Sequence, residues 1–124
     1  MTAEDKLQVA CVKYVRYKYP KVLINAHLTG VKLPIGLATK CKTMGSLKAI
    51  TDLEILEPRG SYSGCFIELK AEGARIYKKN GSPASEHLSE QLEMIDKLRQ
   101  RGYYADIAIG MDDFVQKVDS YLAL

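Results

Sequence analysis

Phe66, Glu68 and Lys70 alternate with Cys65, Ile67 and Leu69 in an otherwise apolar run. A strand period of two places the first three on one face and the second three on the other. An acid and a base two residues apart on a strand fit for burial are costly unless they pair or hold a cation. One predicted strand upstream, Asp52 lies within the alternating run Ile50–Leu56, and aspartate is disfavoured in mid-strand. If the two strands pair, Asp52 and Glu68 converge. Two carboxylates with a backbone carbonyl, which Leu69 could offer, form the hard oxygen set that suits Mg²⁺ or Mn²⁺. With Lys70 to orient water or stabilise developing charge, this is the minimum kit for metal-assisted phosphodiester hydrolysis. The plain alternative is a cross-strand ion pair on a half-exposed strand, and on these three residues alone it is the commoner outcome.

Two further residues bear on that choice. Gln91 falls on the stripe Leu88, Leu92, Ile95 and Leu98 of the clearest helix in the chain, where a buried amide needs partners. Glu4 lies three residues before Leu7 on the inward side of the first helix. It either reaches the carboxylate pair or simply favours the helix dipole.

The elements that must position these residues follow from the pattern along the chain. Thr2 with Asp5 predicts a capped first helix, closed at Tyr19-Pro20 and carrying Leu7, Cys11, Tyr14 and Val15 inward. Val22 to Ala26 reads as a strand. Residues 27–48 are weakly patterned, with Gly30, Pro34, Gly36 and Gly45 as breakers, and read as a loop with some strand character. Ala49 to Leu56 and Cys65 to Ala71 read as an antiparallel hairpin joined by a turn over 57–64. A basic loop or hairpin over 72–84 precedes a helix capped by Ser85 and stopped at Gly102. Tyr103 to Ile109 is a strand. Asp112 or Asp113 then opens a last helix with Phe114, Val115, Val118, Tyr121 and Leu122 inward. The order is αβββαβα, an α/β fold in one domain spanning 1–124.

At 124 residues, 47% hydrophobic and 27% charged, the chain has the make-up of an ordinary soluble domain with one core. A formal charge of +3 and a pI near 8.7 permit a polyanionic partner without demanding one. Lys40, Lys42 and Lys48 in the first loop and Arg75, Lys78 and Lys79 in the second could track phosphates, as could any solvated lysine-rich loop. Of eight tyrosines, only Tyr62 and Tyr77 fall in loops where base stacking is plausible. His27 and His87 lack a metal spacing and read as edge or solvent residues. Cys11, Cys41 and Cys65 form no CxxC and no disulfide framework, which points to a reducing cytoplasm. No apolar run reaches the roughly 18–20 residues needed to span a bilayer, so no membrane is expected.

Taken together, Glu4, Asp52, the run Phe66-Ile67-Glu68-Leu69-Lys70, Gln91, and Leu98 to Tyr104 entering the last strand resemble the VRR-NUC family of the PD-(D/E)xK nuclease superfamily. The resemblance spans nearly the whole chain. It implies a restriction-endonuclease-like αβββαβ core with a mixed central sheet flanked by helices, plus a C-terminal helix. It further implies that Asp52, Glu68 and the Leu69 carbonyl bind Mg²⁺ or Mn²⁺ and that Lys70 acts in catalysis, with Gln91 and Glu4 as the helix glutamine and first-helix acid. Stand-alone members look like phage-type nucleases in the bacterial host cytoplasm, some acting as homodimers on four-way (Holliday) junctions. DNA, branched or duplex, is therefore the expected partner, and a non-catalytic nucleic-acid-binding or assembly subunit on the same fold is the alternative. A nucleophilic Cys65 or Cys41 is a third reading, unsupported by any nearby histidine. The chain departs from the family in having Ala49-Ile50-Thr51 where Gly-x-Pro usually precedes the aspartate, and in its longer 72–84 segment.

Overall fold

The computed structural model describes residues 1–28 and 31–124. Helix α1, Ala3–Lys18, starts at a reciprocal cap: Thr2 Oγ1 accepts from the Asp5 N–H at 3.1 Å, and Asp5 accepts from the Thr2 N–H at 2.9 Å. Such a box satisfies two of the backbone donors that every helix start leaves open. Strand β1 is Ile24–Ala26, helix α2 is Ile35–Thr43, and strand β2 is Leu53–Ile55. Strand β3, Cys65–Lys70, is followed by helix α3, Glu86–Gln100, whose Ser85 cap accepts from the Leu88 N–H at 3.1 Å. Strand β4 is Tyr104–Ile109, and helix α4, Gly110–Leu122, follows it directly.

The four strands form one mixed sheet in the order β1-β2-β3-β4, with the first three antiparallel and β3-β4 parallel. Each face of β3 serves a different core, as its period of two requires. Cys65, Ile67 and Leu69 pack with Cys11 and Val15 of α1 and Phe114, Val118 and Tyr121 of α4. Phe66 and its β4 neighbours Ala105 and Ile107 pack under Leu88, Ile95 and Leu98 of α3. Helices on both faces of a sheet with a parallel pair make this an α/β architecture.

Four expectations need correction. Residues 27–48 are not all loop, because α2 forms within them; the breaker at Gly30 lies outside the described residues. The order is consequently αβαββαβα. Strand β2 covers only Leu53–Ile55, since Ala49 takes φ 63° and the chain bends at Asp52. The last helix opens at Gly110, with φ 82°, and not at Asp112 or Asp113. Asp113 instead reaches back and accepts from the Ile109 N–H at 2.8 Å. Tyr62 is no loop platform either: its ring packs edge-on against Tyr104 at 5.6 Å and beside Tyr121 at 6.0 Å.

Strand β4 is an edge, and charged side chains close its outer row. Arg99 Nε donates to the Ala105 carbonyl at 2.8 Å, and Lys117 Nζ donates to the Ile107 carbonyl. Asp106 accepts from the Ile107 N–H at 2.8 Å, and Asp113 takes the Ile109 N–H. Unpaired edge groups invite another strand, and occupying them with side chains removes the invitation.

Candidate active site

The site forms where the β1–β2 pairing ends and β3 runs on. Cross-strand partners share a face, and the pairs Ala26↔Leu53 and Leu53↔Ile67 carry the register on to His27, Asp52 and Glu68 as one row. The His27 N–H donates to the Asp52 carbonyl at 2.8 Å, which fixes the Asp52 backbone after the strand proper has stopped. The Asp52 side chain then replaces the missing ladder bond: Oδ2 accepts from the Leu69 N–H at 2.7 Å. A strand residue's N–H and C=O lie on the same side, so the Leu69 carbonyl faces this end of the sheet as well. Ala49 stands where the resembled family has glycine, and its positive φ shows the backbone taking the conformation glycine favours.

Glu68 is 3% exposed. Its Oε1 accepts from Gln91 Nε2 at 2.6 Å, and Lys70 Nζ lies 4.0 Å from the same oxygen, too far for a hydrogen bond. Glu68 Oε2 and Gln91 Oε1 are both buried without a hydrogen-bond partner. Burial, then the negative charge of Asp52, push the Glu68 carboxyl up to about 8, against the opposing pull of Lys70. The site is thus short of positive charge. Gln91 is itself buried, so the amide expected to need partners finds one in Glu68.

These donors fit a divalent cation. Orphaned buried oxygen, a second carboxylate beside it and a carbonyl facing the same way are hard ligands for Mg²⁺ or Mn²⁺. Among the described residues no cluster of three His, Cys, Asp or Glu side chains gathers, so two carboxylates need the backbone as a further donor.

Glu4 is exposed, not on a buried side of α1. It lines a cleft of about 430 Å³ with Thr2, Asp5, Gln8, Asp52 and Ala71, so the N-terminus of α1 borders Asp52. Gln8 in that cleft went unnoticed in the sequence, although it follows Glu4 by four residues and so shares its helix face. His27 likewise belongs to the Asp52 row, with its Nε2 3.4 Å from Glu54 Oε2, while Asn25 Nδ2 donates to Glu54 Oε1 at 2.9 Å. Its only sequence signal was its place at the end of a short apolar run.

The six basic residues are spread over two exposed segments. Lys40 and Lys42 lie on the last turn of α2, and Lys48 pairs with Glu90, the neighbour of Gln91, at 3.2 Å. Arg75, Lys78 and Lys79 are exposed in the β3–α3 connection, which folds into a small hairpin through the Tyr77↔Pro83 bridge. A nucleophilic Cys65 finds no support in this arrangement. Cys65 is fully buried, and burial pushes its thiol up to about 12, away from the reactive thiolate.

A solved structure described as a VRR_NUC domain protein superposes with a TM-score of 0.70, covering 100% of this chain and 91% of that one at 26% identity. The fold of this chain is that of a VRR_NUC domain protein. No family model matches the sequence, and no curated protein does. Among the described residues no helix is long and apolar enough to cross a membrane.

Proposed function

We propose that this chain is a divalent-metal-dependent nuclease that hydrolyses phosphodiester bonds in DNA, acting as a structure-specific endonuclease on branched substrates such as four-way junctions. The likeness to a VRR_NUC domain protein supports the nuclease class. The observation that carries the site is the buried, half-partnered Glu68 carboxylate beside Asp52, a placement that opposes folding unless a cation is held there.

Asp52, Glu68 and the Leu69 carbonyl would hold Mg²⁺ or Mn²⁺, which when bound polarises a phosphate and makes a water more acidic. Gln91 fixes one Glu68 oxygen and leaves the other open. The Leu69 N–H aims the Asp52 carboxylate. Lys70, on the same face as Glu68 and largely buried, would orient the attacking water and stabilise charge gathering on the phosphoryl oxygens. Glu4 and Gln8 border the approach from the Asp52 side. A four-way junction is two-fold symmetric, so cutting two of its strands favours a homodimer.

The test is cleavage of labelled four-way junction, flap, single-stranded and linear duplex DNA with Mg²⁺, Mn²⁺ or EDTA, beside the Lys70→Ala protein. Metal-dependent cutting abolished by Lys70→Ala is the expected result. Tight binding to one substrate with no cutting of any would transfer the assignment to a non-catalytic subunit.

A further inference from the structure

Residues 31–48 form an arm rooted at both ends beside the site. On the entry side the His27 N–H holds the Asp52 carbonyl. On the exit side Ala49 and Ile50 pack into the α3 cluster just before Asp52. Between these roots α2, roughly 13 Å long at 1.5 Å per residue, buries none of its residues. It packs against no other described helix or strand. The arm displays large apolar side chains to solvent: Ile35 is 87% exposed, Met44 76%, Leu47 55% and Val31 51%. It also carries Lys32, Lys40, Lys42 and Lys48 and not one carboxylate.

Its charge selects a polyanion: Lys48 is held by Glu90, but Lys32, Lys40 and Lys42 stand exposed in an arm without an acid, where they repel a second arm of the same kind and attract phosphates. The apolar residues at the entry to α2 select further. Leu33 and Ile35 flank Pro34, the residue just before α2. An intact duplex offers such side chains little, whereas an unstacked base at a branch offers an open apolar face. We infer that residues 31–48 are a branch-reading arm, with Lys40 and Lys42 on the nucleic-acid backbone and Leu33 and Ile35 wedged against unstacked bases at the junction. This rests on the nuclease reading and adds to it the element that distinguishes branched from linear DNA.

The experiment uses the full chain in EDTA, where metal-dependent cutting is off. The ligands are a four-way junction carrying 2-aminopurine beside its branch point and a linear duplex of the same sequence. The wild-type protein raises the 2-aminopurine fluorescence on the junction. Leu33→Ser/Ile35→Ser loses that rise and weakens junction binding about tenfold, with duplex affinity within about twofold of wild type. Lys40→Ala/Lys42→Ala weakens both and lowers the salt slope by about 2. Because α2 packs against no other described helix or strand, and neither variant touches the Lys48–Glu90 pair, both melt within about 1 °C of wild type. A clearly lower melting temperature overturns the inference by showing that the arm is part of the core. So does unchanged junction affinity and fluorescence in the serine variant while the wild type binds DNA, a result that leaves the nuclease reading standing. Conversion of a dimer to a monomer by the serine variant, seen by light scattering, overturns it in favour of a second copy. Absence of DNA binding by the wild type overturns both readings together.

Discussion

Glu68→Gln should stabilise the metal-free protein, and more so as pH rises. Glutamine keeps the shape and the oxygen that accepts from Gln91 Nε2 at 2.6 Å, while removing the charge that Asp52 repels. The carboxyl sits near 8 in the folded chain against an ordinary 4.5. The folded state therefore keeps a proton that the unfolded chain gives up above about pH 4.5. Wild-type stability falls as pH rises from there, and the loss levels off above about 8. At pH 7 this opposes folding by on the order of 3 kcal/mol, at 1.36 kcal/mol per pH unit. Urea unfolding in EDTA at pH 5, 6, 7 and 8 should show the two proteins diverging steadily, the variant nearly flat by comparison. Mg²⁺ or Mn²⁺ at pH 8 should then raise the wild-type midpoint and leave the variant's in place, because binding to the folded state alone stabilises it. Parallel pH curves for the two proteins would refute the account of Glu68 as a carboxylate held against its own burial.

Three further outcomes are expected. Asp52→Asn should fold like wild type, because its amide oxygen still accepts from Leu69, whereas Asp52→Ala should lose about 1–2 kcal/mol in urea melts; both should abolish cleavage. Ala49→Gly should gain about 0.5–1 kcal/mol, since relief of the left-handed backbone, about 1–2 kcal/mol, exceeds glycine's extra unfolded entropy; a melting temperature that falls would mean the φ of 63° is not strained. Replacing Arg75, Lys78 and Lys79 together by alanine should weaken DNA binding and lower its salt slope by up to about 3. An unchanged slope would leave that hairpin solvated and uninvolved.

What could be read without coordinates was whatever burial imprints as a period. The α3 stripe, with Gln91 inside it, and the two faces of β3 were legible because both elements press against a core on defined sides. Helix α2 was not, because it packs on no other described helix or strand and has no apolar face to repeat; Gly36, Thr39 and Thr43 also weaken its local signal. Alternation overstated β2, since Ile50 and Thr51 alternate like strand residues but follow a positive-φ alanine. Asp52 looked anomalous in mid-strand for a sound reason: it stands just outside the strand, spending its carboxylate on the bond the ladder no longer makes. His27 joins the site through cross-strand register alone, a relation that sequence spacing does not express.

The sealing of β4 by Arg99, Asp106, Asp113 and Lys117 limits how copies of this protein can be joined. No continuous sheet can run from one molecule to the next across that side, so a pair must be held by helix surfaces, loops or the β1 margin. The same closure removes one of the sheet's two edges as a template for fibrous growth. It also leaves the two ends of the sheet unlike each other, with β4 closed by side chains and the Asp52–Glu68 row at the end where the β1–β2 pairing stops.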